Sequence, residues 1–153
     1  MSFREKMVWV TLAVTLAVWG WYFVRVWGAL ADGEATGAAI LGLFVRAVVL
    51  TIVLEVVVAI ALAAAAPKAA EAPADERERL IELRATRTAY VILSVGVIGV
   101  ALSAPMMATA GPQLLADPTD NLVLILGNAL LFALIGAELI KGAAQVVGFR
   151  RGA

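Results

Sequence analysis

The sequence has neither cysteine nor histidine among its 153 residues. Without cysteine the chain forms no disulfide and has no thiol chemistry. Without histidine it lacks the usual axial ligand of haem and chlorophyll, a common zinc ligand and the commonest general base. Twelve basic and twelve acidic residues give a formal net charge of zero, so bulk charge predicts no direct binding of nucleic acid.

The familiar sequence motifs of enzymes are missing as well. The chain contains no P-loop, no nucleophile elbow and no cluster of metal ligands at a characteristic spacing. The carboxylates inside its apolar runs have no adjacent nucleophile. We therefore predict a protein that is not an enzyme and that holds no metal and no cofactor.

Apolar residues, by contrast, are unusually frequent. They make up 63% of the chain, with a mean hydropathy of +0.95, against roughly 45–50% in soluble domains. Four runs are long enough to cross a hydrocarbon core of roughly 30 Å, and backbone in hydrocarbon must satisfy its hydrogen bonds within helices. The first run is longer than the roughly 7–15 apolar residues of a secretory signal peptide, so we expect it to be a membrane helix that is not cleaved off. We predict an all-α, single-domain bundle of four transmembrane helices, at about 8–30, 37–66, 76–110 and 121–147, of which the third starts in the cytoplasm and has its apolar run at 89–110.

Basic residues fall on one side of these spans only. Arg4 and Lys6 precede the first apolar run, five basic residues lie between the second and third runs, and two follow the fourth. The other two loops have none and hold four acidic residues, Asp32, Glu34, Asp117 and Asp120. By the positive-inside rule, both termini and the middle loop are predicted to be cytoplasmic.

The middle loop is the only substantial segment outside the spans. Residues 67–75 are rich in Ala and Pro and are predicted to be a cytoplasmic linker. Asp75 is then expected to cap the third helix, with Glu78 completing a capping box, so that this helix begins in the cytoplasm. Its first turns are either a solvated face or a docking surface for a cytoplasmic partner, for which the candidates are Glu76, Arg77, Leu80, Ile81, Leu83 and Arg84.

Five ionisable residues fall inside the spans, where each costs about 2.5–3.5 kcal/mol unless it is paired or hydrated. Counted from the helix ends, Arg25 and Arg46 lie in the outer half of the membrane, while Glu55 and Glu138 lie at nearly equal depth in the inner half. The two carboxylates can therefore meet across the bundle. Lys141 can neutralise Glu138 locally, whereas Glu55 has no such partner on its own helix. With nearby polar residues they form the predicted intramembrane polar network: Arg25, Arg46, Thr51, Glu55, Asn128, Glu138, Lys141 and Gln145.

Two interpretations of these charges remain open. In the structural one, Glu55, Glu138 and Lys141 form a network that fixes helix register, and Arg25 snorkels over Trp21 or pairs with Asp32. In the functional one, the two carboxylates form the proton or cation site of a transporter.

Small residues predict close helix contacts. One row lies on the third helix and one on the fourth: Gly96, Gly99 and Ser103, and Ala129, Ala133 and Ala137. Pro105 is expected to kink the third helix or to end its regular part. The two helix pairs also share an aromatic residue at the start and a glutamate on the second helix, which suggests a tandem two-helix repeat.

The chain resembles a family of uncharacterised bacterial four-helix inner-membrane proteins. The resemblance rests on short sequence segments and single residues: residues 3–6 followed by Trp9, residues 66–68 with 72–77 and 80–81, Tyr90, Glu138, Gln145 and residues 150–152. Members are often encoded beside a small helix-turn-helix regulator, so the resemblance implies the bacterial inner membrane and a cytoplasmic regulator as partner. Val56 and Leu139 stand where members carry a polar or aromatic residue.

Together these patterns predict a non-catalytic membrane protein that acts as a structural, accessory or signalling component. Its partners are expected to be membrane lipid, further copies of itself or a larger membrane complex, and a cytoplasmic regulator. The alternatives are a proton- or cation-coupled small-molecule transporter that uses Glu55 and Glu138, and an accessory subunit of an energy-converting complex.

Overall fold

The computed structural model describes residues 2–73, 75–114 and 118–151, and the side chains of 2–73, 75–107 and 122–151. Within these ranges every regular element is a helix: α1 (Phe3–Ala31), α2 (Gly37–Ala65), α3 (Pro67–Glu71), α4 (Glu76–Leu114) and α5 (Pro118–Arg151). All but the short α3 are long and apolar enough to cross a membrane. The prediction of an all-helical chain with four membrane-spanning helices is confirmed.

The helix bounds differ from the predicted ones at several ends. The predicted linker contains the five-residue α3, with Pro67 in its first turn, where proline is tolerated. Helices α1 and α5 run past their apolar parts, because hydrophobicity marks the membrane-crossing segment while backbone hydrogen bonding decides where a helix stops. Of the two acidic residues predicted to lie in the second outer loop, Asp117 is outside the described residues, whereas Asp120 lies in the first turn of α5, so its placement in a loop is wrong.

Side-chain oxygens fix the start of three helices. Ser2 Oγ accepts a hydrogen bond from the Glu5 amide at 3.2 Å, and Thr36 Oγ1 accepts one from the Ala39 amide at 3.3 Å. Asp75 and Glu78 form a reciprocal pair, in which each carboxylate accepts from the other residue's amide, at 3.1 and 3.4 Å. This is the predicted capping box, and it is confirmed.

The four long helices form an open series of neighbours. Helix α1 packs against α2 and α5, and α5 packs against α1 and α4, which gives the order α2–α1–α5–α4. The two helices at the ends, α2 and α4, keep many large apolar side chains exposed, among them Val49 on α2 and Val95 on α4. A surface of this kind suits hydrocarbon solvent.

Aromatic side chains make the core where α1 meets α2 and α5. Trp19 lies edge-on to Tyr22, with ring centroids 5.5 Å apart, and close to Phe44 of α2 at 6.1 Å. Phe23 lies edge-on to Phe132 of α5 at 5.1 Å. These geometries are the ones aromatic pairs prefer, so the cluster joins three helices at one level.

Small residues bring α4 and α5 together. A Cβ atom built on Gly96 would lie 2.8 Å from the Cβ of Ala133, and one on Gly148 would lie 2.8 Å from Ile81. Gly96 and Ala133 belong to the two predicted small-residue rows, which therefore meet inside the chain. Helix α4 does not end at Pro105 but continues to Leu114, so that alternative is wrong.

Candidate functional site

A cavity of about 430 Å³ lies in the half of the bundle that contains both chain termini. We call it the terminal cavity. Helix α1 provides one wall, with residues from Met7 to Trp19, while α2 contributes Thr51 and Glu55. Helix α5 contributes 135–145 and α4 a single residue, Glu82. The cavity exists because α2 and α5 both pack on α1, which leaves a space between them.

Three carboxylates line the terminal cavity, and a single ammonium group accompanies them. Glu55 and Glu138 both line this cavity, as their equal predicted depth in the membrane allowed. Glu82 is a third carboxylate in the lining. Lys141 Nζ lies 3.5 Å from Glu138 Oε2, the local pair expected from their spacing. Because that lysine can offset one carboxylate only, the lining keeps an excess of negative charge when all four groups are ionised.

Glu55 has no ion pair and no hydrogen bond to any described residue, although it is half-buried. Thr51 lies one turn away on the same wall, as predicted, but its hydroxyl donates to the Ala47 carbonyl at 2.9 Å and is thereby occupied. The interpretation in which Glu55 belongs to a bonded network therefore has no contact to rest on. The carboxylate instead faces open space.

Thr15 is the least exposed polar group in the cavity wall. It is nine-tenths buried, and its hydroxyl makes no hydrogen bond within the described part of the chain. Thr11 lines the same wall one turn away. Sequence reasoning missed both threonines and Glu82, and the one available signal was the i, i+4 spacing of Thr11 and Thr15 on an otherwise apolar helix.

Asn128 lies away from the cavity, in the opposite half of α5. It is buried, its Oδ1 accepts a 2.7 Å hydrogen bond from the Tyr22 hydroxyl, and its Nδ2 donates to the Leu124 carbonyl at 2.8 Å. The predicted polar network is therefore not one connected set. Gln145 lines the terminal cavity with Glu138, whereas Asn128 joins two helices elsewhere.

The two arginines inside the spans stand apart from these groups. Both Arg25 and Arg46 are exposed, and neither makes an ion pair with a described residue. The expected stacking of Arg25 on Trp21 and its pairing with Asp32 are both absent where side chains are described. The cation–π contact that does form is Arg150 over Trp9, with 5.3 Å between the guanidinium carbon and the ring centroid.

The start of α4 is tied to its neighbours near the termini. Arg4 Nε lies 3.1 Å from Glu78 Oε2, and Arg77 donates a 3.0 Å hydrogen bond to the Phe149 carbonyl. Of the apolar docking candidates, Leu80 and Leu83 are exposed, while Ile81 is buried against Gly148. Ile81 therefore serves helix packing and is not open to a partner. The charged candidates Glu76, Arg77 and Arg84 are exposed.

Within the described ranges, no three acidic side chains converge closely enough to hold a metal ion. The carboxylates of the terminal cavity are spread around its walls. The arrangement can attract positive charge and supply oxygen acceptors, but it does not form the tight shell of oxygens that a bare cation requires.

No protein-family model matches the chain, and neither a curated protein nor a solved structure matches it.

Proposed function

We propose that this chain is a non-catalytic, multi-pass membrane protein that works by contact with other membrane protein. The observation that supports this most directly is the open order of the helices, which, within the described residues, leaves α2 and α4 with one extensively packed long neighbour each. In a closed bundle, each of these helices would have two.

Arg46 adds weight to the free face of α2. It lies about 13.5 Å along the axis from the start of α2, at about 1.5 Å per residue, exposed and unpaired in the described part of the chain. An arginine held in hydrocarbon at such a depth costs about 2.5–3.5 kcal/mol before snorkelling relieves it. A carboxylate or polar group of a neighbouring protein lowers that cost, so we place a helix–helix contact on this face.

The orientation completes this proposal. By the positive-inside rule, the basic residues near the termini and those from Lys68 to Arg87 support a cytoplasmic location for these segments, which in a bacterium corresponds to insertion in the inner membrane. The start of α4 then offers Leu80 and Leu83, beside exposed charges, to a cytoplasmic regulator. A tandem repeat of two hairpins remains a proposal, supported by the contacts of α1 with α2 and of α4 with α5.

Site-specific photocrosslinking tests the helix contact. A crosslinking residue at Val49, which is 52% exposed on α2, should yield a discrete adduct with a second copy or with one partner at fixed stoichiometry. Ala47 is the matched control, because it is fully buried two residues away and should give no adduct between chains. If Val49 captures lipid alone while the native protein purifies as a monomer, the proposal fails.

A second candidate function is supported by a separate observation, namely that Glu55 and Glu138 line one cavity. A proton- or cation-coupled transporter needs titratable groups open to a ligand, and Glu55 is such a group. Replacing both residues by Gln should abolish coupled proton movement in liposomes under this function. The same change should leave the Val49 crosslink intact, so the two candidates separate.

A further inference from the structure

We propose that the terminal cavity is a binding site for an organic cation, a molecule that carries an amine or a quaternary ammonium group. The charge of its walls is the first argument. The lining contains three carboxylates, Glu55, Glu82 and Glu138, and one ammonium group, that of Lys141. A ligand with one or two positive charges therefore neutralises the excess negative charge. This site uses the same cavity as the transporter candidate, but it requires no transport cycle.

The size of the cavity and the spread of its carboxylates decide between an organic cation and a metal ion. A volume of about 430 Å³ falls in the range of sites that hold small organic molecules, roughly 300–1,000 Å³. A bare calcium ion needs oxygens at about 2.3–2.6 Å on several sides, and no three acidic groups converge within the described residues. An organic cation is wide enough to reach separate walls.

The wall provided by α1 supplies contacts suited to such a ligand. Thr15 is nine-tenths buried and lines the cavity, and its hydroxyl has no hydrogen-bond partner among the described residues, so it is free to accept from an ammonium N–H. Trp19 lines the same wall toward the aromatic cluster, and an indole face attracts cations. Hydroxyl and ring lie about one turn apart on α1.

A route toward the chain termini is also present. An adjoining cavity of about 300 Å³ shares Met7, Val8, Glu82 and Gln145 with the terminal cavity and extends to Arg4 and Glu78. Glu82 is exposed and lines both cavities, so its carboxylate lies between Glu55 and the end of the cavity near the chain termini. A cation that enters from this end therefore meets negative charge before it reaches the deeper site.

Equilibrium binding of ethidium, an aromatic organic cation, tests the proposal. The full chain is placed in nanodiscs of zwitterionic phosphatidylcholine, so that lipid charge does not attract the probe, and ethidium anisotropy is followed as protein is added. We expect saturable binding by the native chain. The variant E55Q/E138Q should bind at least about tenfold more weakly, a loss equivalent to about 1.4 kcal/mol.

E34Q/E71Q is the matched control, because Glu34 and Glu71 are both exposed outside the cavity and their replacement removes the same two negative charges. Its affinity should stay within about twofold of the native value. Two further variants test the site if E55Q/E138Q fails to fold. Thr15→Val keeps the shape of the side chain and should weaken ethidium binding several-fold. Trp19→Phe should reduce energy transfer from tryptophan to ethidium. If the native chain and E55Q/E138Q bind ethidium with equal affinity, the proposal is overturned. If the double variant fails to fold, equal affinity of the native chain and Thr15→Val overturns it instead. Absence of ethidium binding alongside glutamate-dependent proton movement overturns the organic-cation site but leaves the transporter candidate standing.

Discussion

The hydroxyl of Tyr22 donates a 2.7 Å hydrogen bond to Oδ1 of Asn128, and so joins α1 to α5 through two buried side chains. The Asn128 amide nitrogen donates in turn to the Leu124 carbonyl, which satisfies both ends of the amide. In hydrocarbon a buried amide without partners is costly, so this pair favours one register of α1 against α5. The hydrogen bond sits beside the aromatic cluster that closes one end of the terminal cavity.

Tyr22→Phe should destabilise the fold by about 0.6–1.7 kcal/mol, the range for side-chain hydrogen bonds between membrane helices. The cause is the loss of the only donor that Asn128 Oδ1 has among the described residues. Unfolding of the purified protein in mixed micelles, followed by circular dichroism, measures the change. Tyr90→Phe is the control, since that ring is 70% exposed, and it should have little effect. An equal loss of stability in both variants would assign the effect to the phenol itself and not to the pair.

Gly96→Ala should destabilise the contact of α4 with α5 by about 1–3 kcal/mol, because the new methyl group would meet Ala133 at 2.8 Å. Gly99→Ala introduces the same methyl group into open space three residues away. That control should be neutral, or more stable by up to about 1 kcal/mol from its higher helix propensity. The difference between the two melting temperatures is the measurement. Identical values would place the closest approach of the two helices somewhere other than at Gly96.

Asp75→Ala should fray the start of α4, because it removes the oxygen that accepts from the Glu78 amide. A lost N-cap costs about 0.5–2 kcal/mol, so amide hydrogen exchange should accelerate in the first turn of α4. Mass spectrometry of peptides that span 75–82 reports this. Asp32→Ala, at the C-cap of α1 with no side-chain cap bond, should leave exchange at its own helix end unchanged. Unchanged exchange at 75–82 would mean that helix packing alone holds this end.

Single cysteines placed in this cysteine-free chain should report its orientation. Ser2→Cys and Glu71→Cys should resist a membrane-impermeant maleimide in intact cells and react once the membrane is opened, whereas Glu34→Cys should react at once. All three positions are exposed, so burial does not hide them from the reagent. Labelling of all three in intact cells would contradict a single orientation, and the reverse pattern would invert it.

Local features of the chain were predictable because they depend on neighbours in sequence. Hydrophobic length predicted four spans, the spacing of Asp75 and Glu78 predicted the cap, and the spacing of Glu138 and Lys141 predicted their 3.5 Å contact. Each interaction is contained in one helix or one turn. The helix ends were less predictable, because the apolar run stops at the membrane boundary while helical backbone hydrogen bonding continues beyond it, as far as Arg151 in α5.

The candidate site was predictable in part only. Equal depth suggested that Glu55 could meet Glu138, and both line the terminal cavity. Depth alone does not reveal the rotation of a helix or its neighbours, so the contributions of Thr15 and Glu82 were not foreseen. For the same reason Tyr22, one aromatic residue among several on α1, gave no sign of its bond to Asn128.

Composition and local spacing were enough to establish that this chain consists of helices suited to hydrocarbon, where four of these helices approximately begin and end, and which charges they carry. These properties follow from backbone hydrogen bonding and side-chain solvation, which act residue by residue. Three features required the packed helices to become visible: α2 and α5 leave a space beside α1, Glu55 faces that space without a partner among the described residues, and Gly96 contacts Ala133. Those facts depend on helix rotation and neighbour order, which arise from packing between surfaces distant in sequence.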